Sequence, residues 1–524
     1  MAQQKSDRCT VPAGHRKAVV TRVVEPTGGG KAATVNERTW QLGLLFGTAE
    51  DQAAQAAGAD GGADLGRPRP ATHAAPKPRG KEKRVTSATM EEVAERLEQA
   101  FKKVASNKGA PGPDRQSIEQ VREHLPELVP MLKAALLVGT YEPGDIRRVS
   151  IPKAGGGQRG LGIPNVVDRM VQEAVQQVLE PLYDPTFHAS CHGFRPGRSC
   201  HTAIAEARRH LEEGHEWVVD LDLEKFFDRV NQQRLMARLA LRVEDRRLLV
   251  VIGRMLRAKV VLPDGVRVST EEGVPQGGPL SPLLSNIVLD ELDRELDRRG
   301  HRFVRYADDC NVYVRSERAG QRVMASITAF LDRRMRLKVN ATKSAVARPE
   351  ERHFLGFSLR REPLDGSVQV LLSKRSKERI NTRIRELTPR NWGCSLKACI
   401  LGINAYLLGW IGFFWVCTTE AERTMKKLDA HIRRRLRAIQ LRQWKCKRTI
   451  ARKLIGLGAK PAKAWHTVYD GRRSWWALSH STVVDRVLRN AYFAERGLVS
   501  IMEQWQRLAS PTIGAPAQLE LGLG

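Results

Sequence analysis

Phe303-Val304-Arg305-Tyr306-Ala307-Asp308-Asp309-Cys310-Asn311-Val312-Tyr313-Val314 sets two adjacent carboxylates between runs of β-forming residues. The pattern predicts a hairpin whose turn presents Asp308 and Asp309. Two like charges ~4 Å apart repel by about 1 kcal/mol in water, and several-fold more where solvent is excluded. A divalent cation relieves that repulsion, and hard Mg²⁺ prefers carboxylate oxygen. An Asp-Asp pair is more commonly a solvated turn, but a third carboxylate upstream favours the metal. It lies in Val219-Asp220-Leu221-Asp222-Leu223-Glu224-Lys225-Phe226-Phe227-Asp228. On a strand Asp220 and Asp222 point to the same side, and one of them can face the hairpin. Three aspartates meeting on a sheet suit two Mg²⁺ ions and in-line phosphoryl transfer.

The charge balance points to the substrate class. Lys and Arg number 87 against 58 Asp and Glu, a net charge of +29 over 524 residues, and the pI is near 10.2. An enzyme of small metabolites has no use for such a field. A polyanion does, because each neutralised phosphate releases counterions. The chain is read as having no apolar stretch near the ~20 residues that a membrane span needs. Its start, Met1-Ala2-Gln3-Gln4-Lys5, lacks the apolar core of a signal peptide. A cytoplasmic protein without a membrane partner is expected. None of the 8 cysteines forms a C-x-x-C pair, so they read as reduced thiols.

Four segments are expected. Residues 1–85 are rich in Ala, Gly, Thr and Pro and bury too little to offset their ordering entropy, which predicts a disordered leader. Its one apolar island is Gln41-Leu42-Gly43-Leu44-Leu45-Phe46. Order is expected from Thr89, which with Glu92 fits a capping box before Val93, Leu97, Phe101 and Val104 at helical spacing. Residues 86–372 mix helices with short strands, among them 217–223 and 353–359, and a long helix from Leu284 to Arg299. This argues an α+β fold. From 373 to 505 the strand signals stop and a basic helical domain is expected. There Met425, Leu428, Ile432, Leu436 and Ile439 form one apolar stripe among many cations. Residues 506–524 read as a flexible tail.

Taken together these motifs resemble the reverse transcriptases and maturases encoded by bacterial group II introns. The resemblance covers about residues 87–505. Its blocks occur in the family's order. Lys108-Gly109-Ala110-Pro111-Gly112-Pro113-Asp114 comes first, followed by Arg147 through Pro164 and Gly193-Phe194-Arg195-Pro196-Gly197-Arg198-Ser199. The Asp222 strand is next, then Gly273-Val274-Pro275-Gln276-Gly277-Gly278-Pro279-Leu280-Ser281-Pro282-Leu283 and the Tyr306 hairpin. Leu337 through Lys343 and Phe354-Leu355-Gly356-Phe357 close the set. The resemblance implies right-hand polymerase fingers and palm followed by an all-helical thumb, or maturase, domain. It implies an RNA-directed DNA polymerase that also binds its own intron RNA to assist splicing and retrotransposition. The alternative is an RNA-binding splicing maturase without polymerase activity.

The resemblance also assigns residues. Asp222, Asp308 and Asp309 match the catalytic, metal-binding triad that holds two Mg²⁺ ions. Asp220 reads as structural, and Asp228 as a cap of the next helix. Lys153 and Arg159 match the fingers cations on the triphosphate of a dNTP. Phe227 matches the aromatic that excludes a 2′-hydroxyl, with Phe226 the other choice for that gate. Gln276 and Lys343 match further nucleotide contacts. Arg433, Arg434, Arg435 and Arg437 look like an RNA-facing helix, and Gly409-Trp410-Ile411-Gly412-Phe413-Phe414 like the buried centre of the thumb. The implied partners are group II intron RNA, an RNA template, a DNA primer or target, and dNTPs. Nucleoid association is expected when the chain is bound to a DNA target.

Overall fold

The computed structural model describes residues 88–152, 158–389, 393–470 and 474–509. The expected leader with its apolar island, Lys153 and most of the expected tail lie outside the described residues.

Helix α1 (Met90–Glu95) starts at the expected capping box. Thr89 Oγ1 accepts from the Glu92 amide, and the Glu92 carboxylate accepts from Thr89 N–H. The helix breaks at Arg96 before α2 (Leu97–Ser106) carries on the apolar spacing. Both pack on α3 (Val166–Tyr183), a mostly buried helix beneath the fingers. The fingers sheet has the order β2 (Gln158–Ile163), β1 (Ile146–Pro152), β4 (Val260–Val261), β5 (Arg267–Val268).

The palm sheet decides where the chemistry sits. Its order is β6 (Arg302–Tyr306), β7 (Asp309–Val314), β3 (Trp217–Leu221), β8 (Ala345–Ala347), with antiparallel pairing throughout. Tyr306 pairs with Asp309, so Ala307 and Asp308 form a two-residue turn as expected. Ala307 takes φ +56°, a positive value that matches the twist of the strands. Leu221 pairs with Cys310, which brings Asp222 level with Asp309. Side chains alternate across the sheet. Val219, Leu221, Cys310 and Val312 enter one core, shared with α3 and with α5 (Ser281–Arg298); α4 (Cys200–Glu212) lies on the other side. Val218, Val304 and Tyr313 enter a second core, shared with α4 and the C-terminal helices. The aspartates therefore lie on the face that meets the C-terminal domain.

Two expectations about elements need correction. Residues 353–359 are not one strand. Phe354 and Phe357 exchange backbone hydrogen bonds of 3.0 and 2.9 Å across a tight turn, with Leu355 at φ +53° and Gly356 at φ +88°. Positive φ cannot continue a pleat, so β9 (Phe357–Arg361) begins after the turn and pairs with β10 (Val368–Leu372). The second correction concerns apolar length. After α6 (Lys374–Leu387), helix α7 (Leu396–Phe414) has 19 residues with a mean hydropathy of 1.5, long and apolar enough to cross a membrane. Its Ile400, Ile403, Leu407, Trp410, Ile411 and Phe414 are buried in the second core, as a core helix requires. Gly409 and Gly412, expected at the buried centre, face outward.

Helix α8 (Glu422–Gln443) buries the whole expected stripe from Met425 to Ile439. Lys445, at φ +61°, ends its run before α9 (Lys447–Gly456), and α10 (Pro461–Tyr469) folds back on α9. Helix α11 (Ile501–Ala509) packs on α7 and α8, so order extends past residue 505.

Behind the Ala307–Asp308 turn lies a buried ion pair. Arg305 and Asp293, the latter on α5, are both fully buried, with Nε–Oδ1 at 2.7 Å and Nη2–Oδ2 at 2.5 Å. Arg305 Nη1 also donates to Asn286 Oδ1 at 3.0 Å and to the Ala307 carbonyl at 2.9 Å. Burial opposes the charge, but Asp293 outweighs it and keeps the guanidinium protonated. Removing one partner of a buried pair leaves the other without compensation. Asp293→Asn is therefore expected to cost about 3–5 kcal/mol of unfolding free energy in a denaturant titration. A cost below about 1 kcal/mol would mean that the pair does not hold the palm together.

Candidate active site

Asp222 follows the end of β3, where the strand yields to a loop. Its amide donates to Ser344 Oγ at 2.9 Å, and its carbonyl accepts from Asn340 at 2.8 Å. These bonds fasten it to the loop that carries Lys343. Lys343 Nζ lies 3.0 Å from Asp222 Oδ2. Asp308 sits in the turn and Asp309 opens β7. The structure thus brings Asp222, Asp308 and Asp309 to one edge of the palm sheet.

Repulsion among these acids is strong. Burial raises the pKa of Asp308, and Asp222 adds to it, while Arg159 and Lys343 pull the other way. Asp309 is pushed up to about 8, by enclosure first and then by Asp308, Asp220 and Asp222. Its side chain is nonetheless open to water, which screens part of that repulsion. Among the described residues no three His, Cys, Asp or Glu side chains converge on one point closely enough to hold an ion. The Asp222 carboxylate is held by the Lys343 ammonium. The donor set still suits a hard divalent cation, with oxygen ligands alone and unbalanced negative charge.

Asp220 stands apart from the triad. Arg352 grips its Oδ2 through Nε at 2.9 Å and Nη2 at 2.6 Å, and also donates to the Lys343 carbonyl. Arg352 therefore ties β3 to the Lys343 loop and to the turn before β9. No local sequence signal revealed this arginine, which lies 132 residues from its partner. Asp228 does not cap the next helix. It lies in a short turn of helix, and Asn231 makes that cap by accepting from the Arg234 amide.

Other predicted residues fall around the same cleft. Arg159, on β2, reaches far enough to act on Asp308 electrostatically. Gln276 is held by its backbone, its carbonyl accepting from Gly162 at 2.6 Å. Gly277 takes φ +120°, and a Cβ there would meet the Gly162 carbonyl at 2.4 Å. Two glycines thus let the Gln276 loop lie flat on the fingers. Phe226 is buried in the first core, whereas Phe227 is half-buried, with ring centroids 5.1 Å apart.

Comparison with known proteins agrees with this geometry. Residues 151–359 match the family described as reverse transcriptase (RNA-dependent DNA polymerase), and residues 377–455 match the maturase-specific domain of group II introns. Protein YkfC of Escherichia coli K12 is 30% identical over 345 residues, which are 58% of this chain and 88% of YkfC. The chain belongs to the reverse transcriptases encoded by group II introns. The group II intron-encoded protein LtrA of Lactococcus lactis is 28% identical over 363 residues, 53% of this chain and 60% of LtrA. A chain of a partial Cas6-RT-Cas1–Cas2 complex shares 22% identity, with a TM-score of 0.32 over 47% of this chain and 43% of that one. At that level it adds nothing to the sequence relationship. Reverse transcriptases of this family use a divalent metal, and the two matched regions place an RNA-directed DNA polymerase ahead of a maturase domain.

The maturase helix differs from expectation at two arginines. Arg437 is buried, with Nε donating to the Leu488 carbonyl at 2.9 Å and its guanidinium paired with Asp485. Arg435 donates to Thr388 Oγ1 and to the Thr388 carbonyl, the latter at 2.7 Å. Both hold α8 to its neighbours and so are not free for phosphate. Arg434 stacks on Trp476 at 4.1 Å, and Arg433 is half-buried. Exposed cations of this reverse transcriptase's C-terminal domain lie elsewhere, among them Lys427, Lys445, Arg448, Arg452 and Lys453. A helical repeat alone did not separate the cations that pack from those that face water.

The raised pKa of Asp309 has a definite sign. The folded state binds that proton more tightly than the unfolded chain does. Its contribution to stability is full at low pH and is lost as pH climbs from about 4 to about 8. A cation competing for the same carboxylate stabilises more as pH rises. Asp309→Asn is expected to raise the melting temperature of the metal-free protein more at pH 8 than at pH 5. It should also reduce stabilisation by Mg²⁺. Equal melting curves for both proteins at pH 8 would remove Asp309 from the charge cluster.

Proposed function

We propose that Asp222, Asp308 and Asp309 bind two Mg²⁺ ions and form the centre at which a primer is extended on an RNA template. The carrying observation is their meeting at the ends of the adjacent strands β3 and β7, where enclosure first and then the neighbouring carboxylates raise Asp309 to about 8. When bound, the ions would activate the primer 3′-hydroxyl and offset the charge that develops on the reacting phosphate. The protein's own part is positioning and charge. Arg159, which acts on Asp308 from the fingers, is suited to the triphosphate; the family's motif gives Lys153 the same role. Lys343 would release Asp222 to the cation and turn to the nucleotide. Gln276, pinned through its backbone, would line the base-pair side. Phe227 is the sugar gate in this reading, because Phe226 is committed to the core.

The C-terminal helices would hold the chain's own group II intron RNA and so assist splicing and retrotransposition. The basic composition supports this, as does the maturase match. Exposed cations on α8 and α9 are better placed for that RNA than Arg435 and Arg437; Arg433 and Arg434 remain part of the proposal. The working compartment would be the bacterial cytoplasm, with the chain on the nucleoid when bound to its DNA target.

Asp308→Ala is expected to lower primer extension by at least about a hundredfold, the equivalent of several kcal/mol of charge stabilisation. Binding of intron RNA should survive. Extension near the wild-type rate would show that the metal ligands lie elsewhere. Splicing without any primer extension in the wild type would favour a maturase without polymerase activity.

Phe227→Ala is expected to admit ribonucleotides by opening space for a 2′-hydroxyl. Phe226→Ala should instead destabilise the fold by about 3–5 kcal/mol, as for a truncated core aromatic. Single-nucleotide incorporation of rNTP against dNTP decides between them. An unchanged ratio in Phe227→Ala would take the gate away from this ring.

A further inference from the structure

Helix α10 follows the end of the maturase match at residue 455 and carries a surface that the proposed function does not use. Trp465 and Tyr469 lie one turn apart on it, 36% and 49% exposed, with ring centroids 5.5 Å apart and planes tilted by 36°. Ala464 and Val468 supply its buried side and α9 its packing partner, so the two rings are not needed for the core. Lys447, at the start of α9, stands over the Tyr469 ring at 5.5 Å. Lys460 and Lys463 are exposed at the other end of α10.

The charge along α9 and α10 is one-sided up to Asp470, which follows the last residue of α10. Residues 430–469 include no Asp or Glu, and residues 445–469 include 7 Lys and Arg. A helix pair that was merely solvated would mix signs and gain from i,i+4 pairs. Instead, like charges crowd together beside two exposed aromatic faces, and a polyanion relieves the crowding. The rings suit flat, apolar faces, which nucleobases offer once they are unpaired. In a duplex those faces are covered by neighbouring base pairs. A second copy of this chain would bring the same cations against these and be repelled.

We propose that Trp465 and Tyr469 form a stacking platform for unpaired bases of a single-stranded nucleic acid, with Lys447, Lys460 and Lys463 taking the flanking phosphates. This rests on the reading of the chain as a nucleic-acid enzyme and adds a binding site outside the polymerase cleft.

The test is photocrosslinking of the full chain to a single-stranded oligodeoxyuridylate carrying 5-bromouracil, followed by peptide mapping. Crosslinks are expected on the peptide holding Trp465 and Tyr469. They should vanish in the Trp465→Ala/Tyr469→Ala double variant and persist in Trp465→Phe. Affinity of the double variant for the single strand should fall about 5- to 100-fold, with affinity for a blunt duplex of equal length unchanged. Melting temperature should fall by no more than a few degrees, because neither ring belongs to the buried core. Crosslinks confined to other segments would overturn the proposal. So would an equal loss for single strand and duplex, which would leave a general charge effect. Concentration-dependent self-association that the double variant abolishes would instead make the face a protein interface. Repeating the crosslink with Asp308→Ala separates this proposal from the polymerase reading. A crosslink in a wild-type chain that cannot extend primers would leave the platform standing and the polymerase reading refuted.

Discussion

The Arg305–Asp293 pair is the constraint on which the β6–β7 hairpin depends. A hairpin turn at a sheet edge is ordinarily mobile, because water satisfies its carbonyls as well as protein does. Here the Ala307 carbonyl, inside the turn, is bound by a guanidinium that itself cannot leave. Asn286 joins the same network and donates to the Gly193 carbonyl at 2.8 Å. Gly193 in turn packs so close to the Ala307 amide that a Cβ would come within 2.3 Å of it. Two segments distant from the turn, α5 and the loop at Gly193, therefore fix it. A buried pair of this kind is not a cheap source of stability, since desolvation offsets much of the attraction. What it supplies is a fixed direction for two carboxylates that repel each other.

The same logic extends outward from the turn. Asp222 is fastened through its backbone to the Lys343 loop, and Arg352 ties that loop to Asp220. The cations are held by the acids, and the acids are brought together by the register of β3, β7 and β6. On the other side of the cleft the Gln276 loop lies on β2 through a backbone hydrogen bond. Fingers and palm thus share a seam made of glycine and main chain. Side chains there would hold the two surfaces apart.

The C-terminal domain divides its arginines between two uses. Arg435 and Arg437 bind carbonyls and an acid within the protein, and Arg434 lies over an indole. Packing guanidinium groups among helix ends satisfies carbonyls that would otherwise be orphaned. It also removes charge from the surface. The net positive field is then carried by exposed residues on α8, α9 and α10, and from residue 430 to residue 469 no acid interrupts it.

Much of this was legible in the sequence. The β-formers around Asp308 and Asp309 determined the hairpin, because a two-residue turn between alternating strands has few other solutions. The Thr89 cap and the Met425–Ile439 stripe determined helices for the same local reason. Only the tertiary structure decided which charges are free. Whether an arginine faces RNA or a neighbouring carbonyl depends on what packs beside its helix, and periodicity holds no record of that. Arg352 met Asp220 across 132 residues of chain, and Arg305 met Asp293 across the reversal from α5 into β6. The turn at Leu355 and Gly356 interrupted an apolar run that reads as a strand, because alternation reports side-chain faces and is silent on the sign of φ. Helix α7 likewise has the length and apolarity of a membrane span, and only the core packed against its buried side shows what that apolarity is for.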